Sequence, residues 1–168
     1  MSIYSVDKLM SEARKIAADY RRATGKSLGI GNEIAKNDAC NFLNLEPVND
    51  NTSSFDAIGK GDRDGLKVLI KGRAIFDQKK SGARVGQLKV DQEWDLLVLV
   101  LMNEDFDAYE IYEISREEAI TEIDKAAESN RSKRGAMSIS RFKIISHLVW
   151  IKEEGNINNE VWDNQTGS

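Results

Sequence analysis

The segment 94–103 (WDLLVLVLMN) is the feature that most constrains how this chain folds. It is the most apolar run in the sequence, and apolar and polar residues do not alternate along it. A strand with one face in solvent alternates, whereas a strand covered on both faces reads as a continuous apolar run. The segment therefore predicts a central strand with a layer of structure on either side.

Shorter patterns around this run predict the other elements. Apolar residues spaced three and four apart, or a Ser-x-x-Glu capping box, indicate helices. The predicted helices cover 6–22, 31–43 and 115–129, with a weaker helical pattern over 138–150. Short apolar segments beside turn residues indicate strands. The predicted strands are a hairpin of 55–59 with 66–72, the central strand 94–103, and 108–114. The predicted fold class is α/β, with a small mixed β-sheet flanked by helices.

Length and composition fit an ordinary globular protein. The 168 residues suit one domain, with an N-terminal helix in 1–27, a core in 28–152 and a polar tail in 153–168. The single cysteine, Cys40, excludes an intramolecular disulfide and any multi-cysteine metal site. No signal-like start or membrane-length apolar run is present, so we expect a cytoplasmic protein with no membrane partner.

Charge is distributed unevenly along the chain. The net charge is −4, but residues 60–89 contain nine Lys/Arg and three Asp, a net of +6. Residues 91–128 contain thirteen acids and two bases, a net of −11, and five further bases follow between 131 and 143. A fold that joins the two basic segments would have one positive face, as expected of a protein that binds a polyanion. Alternatively, these runs are solvated surface.

The predicted hairpin carries an acid and a base at suggestive positions. Asp56 lies near the start of its first strand, and Lys71 lies near the end of its second strand. Side chains on neighbouring strands that face the same way approach within about 5 Å. Phosphodiester hydrolysis uses a divalent metal to neutralise charge and to polarise water, and Mg²⁺ takes one or two protein carboxylates. The pair therefore suits metal-dependent phosphodiester chemistry.

The order of three short motifs resembles the PD-(D/E)xK nuclease superfamily. A glutamate on an early helix (Glu33) is followed by FDAIG, then by a strand ending in IKGR, and then by the apolar strand that begins EWDLL. The resemblance covers about residues 28–150 and is closest to small bacterial proteins of restriction-endonuclease-like fold. It implies a restriction-endonuclease-like core.

The resemblance also implies roles for individual residues. Asp56 and Glu33 would be metal ligands for Mg²⁺ or Mn²⁺, and Lys71, Glu33 and Gln87 would serve catalysis. Basic side chains would hold DNA phosphates. These are Arg73, Lys79, Lys80, Arg84, Arg131, Lys133, Arg134, Arg141 and Lys143. A homodimer is compatible with this activity, because cutting both strands of a duplex usually takes two sites.

One position departs from the motif. The second acid should stand at position 69, two before the lysine, where this chain has Leu69. The acid has migrated to Glu33 or Asp64, the strand register is shifted, or the site is inactive. The sequence thus supports a metal-dependent nuclease acting on DNA. The alternative is a catalytically degenerate domain of the same fold that binds nucleic acid or a protein partner without cleavage.

Overall fold

The computed structural model describes residues 5–48, 54–76, 84–87, 92–128 and 136–157. In these residues four α-helices flank β-sheet. The helices are α1 (Val6–Thr24), α2 (Gly31–Phe42), α3 (Arg116–Glu128) and α4 (Ile139–Ile145). The strands are β1 (Glu46–Pro47), β2 (Ala57–Ile58), β3 (Lys67–Ala74), β4 (Arg84–Gln87), β5 (Leu96–Met102), β6 (Ala108–Ser115), β7 (Ala136–Ser138), β8 (His147–Ile151) and β9 (Gly155–Asn156).

Seven strands form one mixed sheet in the order β1-β2-β3-β5-β6-β8-β9. Only β3 and β5 pair in parallel among its described ladders, and β4 pairs with β7 in a separate two-stranded sheet. The α/β prediction is confirmed, and so is the antiparallel pairing of the predicted hairpin, now β2 and β3. The sheet is larger than the small one predicted, because β8 and β9 extend it past β6.

The central strand β5 is buried along its whole length, as its apolar run predicts. Its even-numbered residues pack in a cluster with α1 and α2, and its odd-numbered residues pack in a second cluster with α3, α4, β4 and β7. We call these two sides of the sheet the α1/α2 face and the α3/α4 face. Because both faces of β5 contact apolar side chains, apolar residues are favoured at every position of the strand.

Helix α2 lies unusually close to β3. A Cβ atom at Gly72 would stand 2.4 Å from the Cβ of Ala35, so a larger residue there would force the helix away from the strand. The amide of Gly72 also donates a hydrogen bond to Asn32 Oδ1 at 3.0 Å. These contacts fix the first turns of α2 above β3.

A buried ion pair joins α1 to α2. Both terminal nitrogens of Arg14 donate to the carboxylate of Asp38 at 2.9 Å, and Arg14 Nη1 also donates to the carbonyl of Phe106. The hydrogen bond to Asp38 raises the pKa of Arg14 despite the opposing effect of burial. Asp38 is the one charged residue among the fully buried residues that the structure describes.

The segment 138–150 folds differently from the helix predicted there. Ser138 caps α4 by accepting a hydrogen bond from the amide of Arg141, but the helix ends at Ile145 and β8 follows. The strand forms because β6 offers it an edge, and Trp150 stacks on Phe42 with ring centroids 4.3 Å apart. Tertiary pairing therefore overrides the helical period in the second half of this segment.

Three other segments form strands that the sequence patterns did not predict. The basic segments 77–86 and 130–137, expected to be loops from their composition, reach into β4 and β7, which pair with each other, and most of their remaining residues lie outside the described ranges. The predicted polar tail contributes β9, which extends the sheet. None of the helices in the described ranges has the length and apolarity needed to cross a bilayer.

The ion pair between Arg14 and Asp38 is expected to be important for stability. Replacing Asp38 with Asn leaves the half-buried guanidinium of Arg14 with only the more distant carboxylate of Asp107, at 3.5 Å, as a charged partner. The free energy of unfolding should therefore fall by about 2 kcal/mol in urea denaturation. Asp19→Asn provides the control, because Asp19 pairs with Arg22 at an exposed site. That change should cost less than about 0.5 kcal/mol. Equal effects of the two substitutions would contradict this role.

Candidate functional site

Asp56 lies at the edge of the β2–β3 ladder, and its carboxylate is fixed from two sides. Its Oδ2 accepts a hydrogen bond from the amide of Ile70 at 2.8 Å, and its own amide donates to the carbonyl of Val68. The side chain is 18% exposed. The carboxylate thus stands beside Ile70, the residue between positions 69 and 71 of the motif strand.

The ammonium of Lys36 lies between the carboxylates of Asp56 and Glu33, the two acids that the resemblance implies as metal ligands. Lys36 Nζ is 3.2 Å from Asp56 Oδ1 and 3.4 Å from Glu33 Oε1. Glu33 and Lys36 lie one turn apart on α2, and Asp56 comes from the edge of the sheet. The structure therefore brings Glu33 and Asp56 around a single positive charge, although they are far apart in sequence.

The surroundings of Lys36 keep its side chain protonated. Burial lowers the pKa of Lys36, but the charges and hydrogen bonds of Asp56 and Glu33 together raise it above its ordinary value. The ammonium therefore stays protonated at neutral pH. Sequence analysis did not identify Lys36 as part of the site. Its spacing of three from Glu33 on a predicted helix was the available signal, because such residues are neighbours on a helix surface.

Lys71 belongs to the other side of β3. Side chains alternate between faces along a strand. Ile70 packs in the cluster on the α1/α2 face, whereas Leu69 packs against the cluster on the α3/α4 face. Position 71 therefore lies on the α3/α4 face with Leu69. The carboxylate of Asp56 contacts Lys36 of α2, so it is joined to the helix that covers the α1/α2 face, opposite the face of Lys71.

Strand β4 covers the same face as Lys71. The guanidinium of Arg73 donates to the carbonyls of Arg84 and Val85, at 2.9 and 2.6 Å, and so ties β3 to β4. Burial lowers the pKa of Arg73. Gln87 is the last residue of β4 and pairs with Ala136, while its side chain lies outside what the structure describes.

The predicted phosphate-binding residues are only partly described. Lys79, Lys80, Arg131, Lys133 and Arg134 lie outside the described ranges. Arg73 is engaged by backbone carbonyls, as above. Two further members, Arg141 and Lys143, each pair with an acid. Arg141 Nη2 is 2.7 Å from Glu122 Oε2, and Lys143 Nζ is 3.2 Å from Glu110 Oε1. Acids therefore lie beside Arg141 and Lys143, so these two bases do not belong to a purely positive face.

The donor set at Asp56 consists of two carboxylates, those of Asp56 and Glu33. No group of three or more His, Cys, Asp or Glu side chains suited to a metal ion occurs in the ranges given above. Two carboxylates fit Mg²⁺ or Mn²⁺, because such ions usually keep several waters and need only one or two protein acids. Leu69 adds no donor, since it packs against the core.

Cys40 and His147 are the two other residues that could in principle act as a nucleophile or a base. Burial and the nearby charge of Asp56 raise the pKa of the Cys40 thiol to about 11, so Cys40 is not a ready nucleophile at neutral pH. The ring nitrogen Nε2 of His147 lies 3.2 Å from Glu118 Oε2 on an exposed surface.

Comparison with models of known protein families and with curated proteins gives no match to this chain.

Proposed function

We propose that this chain is a metal-dependent nuclease that acts on DNA phosphodiester bonds through a site centred on Asp56. One observation carries the proposal: the carboxylates of Glu33 and Asp56 lie within 3.4 Å of one shared cation, the Lys36 ammonium. The same two acids are those that the PD-(D/E)xK resemblance implies as metal ligands. The hydrogen bond from Ile70 also places Asp56 against the strand that carries Lys71.

The fold proposed for this function is a restriction-endonuclease-like core. Supporting it are the helix α2 before the hairpin of β2 and β3, and the parallel placement of β5 beside β3. Two features differ from such a core: the sheet is large, and the described residues of the connection between β3 and β5 contain the strand β4. Parallel neighbours need a long crossover, and residues 75–95 supply it.

Each residue of the proposed site has a distinct task. Asp56, held rigidly, and Glu33, at the exposed start of α2, would hold Mg²⁺ or Mn²⁺. The metal supplies charge neutralisation and a polarised water. Lys71 would steady the negative charge that develops on the phosphate. Because it lies on the opposite face of β3 from α2, the proposal requires one phosphate to reach both faces of that strand. Gln87, on β4, would serve catalysis as the resemblance implies. Arg84 and the basic residues of the neighbouring segments would hold the DNA backbone.

A second candidate function is a degenerate domain that binds nucleic acid or a protein partner without cutting. Two features favour it. Leu69 stands where the motif has an acid and packs against the core, and Lys36 already pairs with the two remaining carboxylates. A lysine that is not displaced by metal would leave the site without its cofactor.

Cleavage assays separate the two candidates. We expect the wild-type protein to nick plasmid or branched DNA with Mg²⁺ or Mn²⁺. Asp56→Asn and Lys71→Ala should each lower the rate about 100-fold, because the first would remove a ligand of the metal and the second a positive charge that stabilises the reacting phosphate. Lys67→Ala is the matched control, since Lys67 lies on the same strand and pairs with Glu93. Its rate should stay within about twofold of wild type.

The outcomes are distinct. DNA binding by the wild-type protein without any metal-dependent cleavage would favour the degenerate domain. Cleavage that survives Asp56→Asn, with melting temperature unchanged, would place the active site elsewhere. Loss of activity in Lys67→Ala to the same extent as in Lys71→Ala would remove the specific role given to Lys71.

Metal binding tests the competition between Lys36 and the cation. Lys36→Met removes the positive charge between Glu33 and Asp56, so the affinity for Mn²⁺ in calorimetric titration should rise about tenfold. Lys125→Met is the matched control, because Lys125 forms the same kind of pair with Glu122, three residues earlier on α3. An unchanged affinity in Lys36→Met would show that these carboxylates do not bind the metal.

A further inference from the structure

A cavity of about 410 Å³ lies between α1, α2 and the ends of β6 and β8. Its volume is within the range of small-molecule binding sites, which is about 300 to 1,000 Å³. Apolar side chains form part of its lining, and these are Met10, Phe42, Ala108 and Trp150. None of the residues that line it belongs to the site at Asp56, so it is a separate place where a ligand could bind.

Phe42 gives the cavity an exposed aromatic surface. Its ring stacks on the ring of Trp150, with centroids 4.3 Å apart and planes 9° from parallel. Trp150 is 7% exposed, whereas Phe42 is 36% exposed. One face of the Phe42 ring therefore packs on the core, and the side away from Trp150 is available to a ligand. Aromatic rings stack on flat apolar groups and attract cations to their faces.

The guanidinium of Arg14 lines the cavity but is already engaged by oxygens of the protein. Its two terminal nitrogens donate to the carboxylate of Asp38, and Nη1 also donates to the carbonyl of Phe106. Its Nε lies 3.5 Å from Asp107 Oδ1. The charge of Arg14 is thus balanced inside the protein, and an anionic ligand would have to compete with these partners.

Acids outnumber bases among the other charged residues of the lining. These residues are Asp7, Asp107 and Lys152, so two carboxylates stand against one ammonium. Asp7 accepts a hydrogen bond from Asn41 Nδ2 at 3.3 Å, and the side chain of Asp107 is 43% exposed. Because a carboxylate can accept several hydrogen bonds, both acids retain the capacity to bind a cationic donor.

We propose that this cavity binds a small organic cation in which an ammonium group is attached to a flat apolar body, as in an arylalkylamine. The apolar body stacks on Phe42, and the carboxylates of Asp7 and Asp107 balance the charge of the ammonium. A carboxylate or phosphate ligand is disfavoured, because Arg14 is engaged and these two acids would repel it. The inference does not depend on the nuclease function, since it concerns different residues.

Two probes of opposite charge test the class of ligand. Phenethylamine and phenylacetate carry the same ring and are of similar length, but the first is a cation and the second an anion. In calorimetric titration of the full chain, phenethylamine should bind at least about tenfold more tightly than phenylacetate. Equal affinities for the two probes, or no saturable binding of phenethylamine up to about 10 mM, would overturn the proposal.

Substitutions in the lining test which side chains bind the probe. Asp107→Asn removes a carboxylate and Phe42→Leu removes the ring but keeps an apolar residue, so each should weaken phenethylamine binding about fivefold. Asp105→Asn is the matched control, because Asp105 lies on the same turn, pairs with Arg22 and does not line the cavity. Its affinity should stay within about twofold of wild type.

Asp107 is exposed, so Asp107→Asn should fold like the wild-type protein, and thermal melting checks this for each variant. Equal weakening of binding in Asp105→Asn and Asp107→Asn would overturn the assignment of the cavity. Unchanged affinity in both Asp107→Asn and Phe42→Leu would overturn it as well.

Discussion

The contact between α2 and β3 at Gly72 determines the geometry of the candidate site. Because Gly72 has no side chain, Ala35 reaches the strand, and a Cβ at position 72 would stand only 2.4 Å from that of Ala35. The amide of Gly72 bonds to Asn32 and fixes the helix along its axis. The first turns of α2 therefore project over the edge of β3, where Lys36 meets Asp56.

The stability of the site depends on the balance of charge between Asp56, Glu33 and Lys36. Asp56 is largely withdrawn from solvent, and an uncompensated carboxylate there would be unfavourable. The amide of Ile70 and the ammonium of Lys36 compensate it in the protein alone. A divalent cation would have to displace Lys36, which is possible because Glu33 is 67% exposed and Lys36 reaches the site on a long, flexible stem. The arrangement is an ion pair in this structure, and under the proposed function the same two carboxylates would hold a divalent cation.

Helix α1 is attached to the rest of the fold through one side of the helix. Its attachment uses a small number of strong contacts, chiefly the pair of Arg14 and Asp38 and the close packing of Ala17 and Ala18. Small residues on the attached side leave the larger apolar residues, Leu9 and Ile16, at the surface. The attachment of α1 therefore does not depend on Leu9 and Ile16.

The sequence by itself determined the elements whose signals are local. The unbroken apolar run required that β5 be covered on both faces, the turn residues before Leu66 required a hairpin, and the capping pattern at Ser115 started α3. Only the tertiary structure decided where side chains from distant segments meet. It placed Lys36 between Glu33 and Asp56, put Lys71 on the opposite side of β3 from α2, and turned the end of the predicted last helix into β8. Those outcomes depend on strand pairing and on the close approach of α2 to β3, which involve residues far apart in sequence and have no local pattern to reveal them.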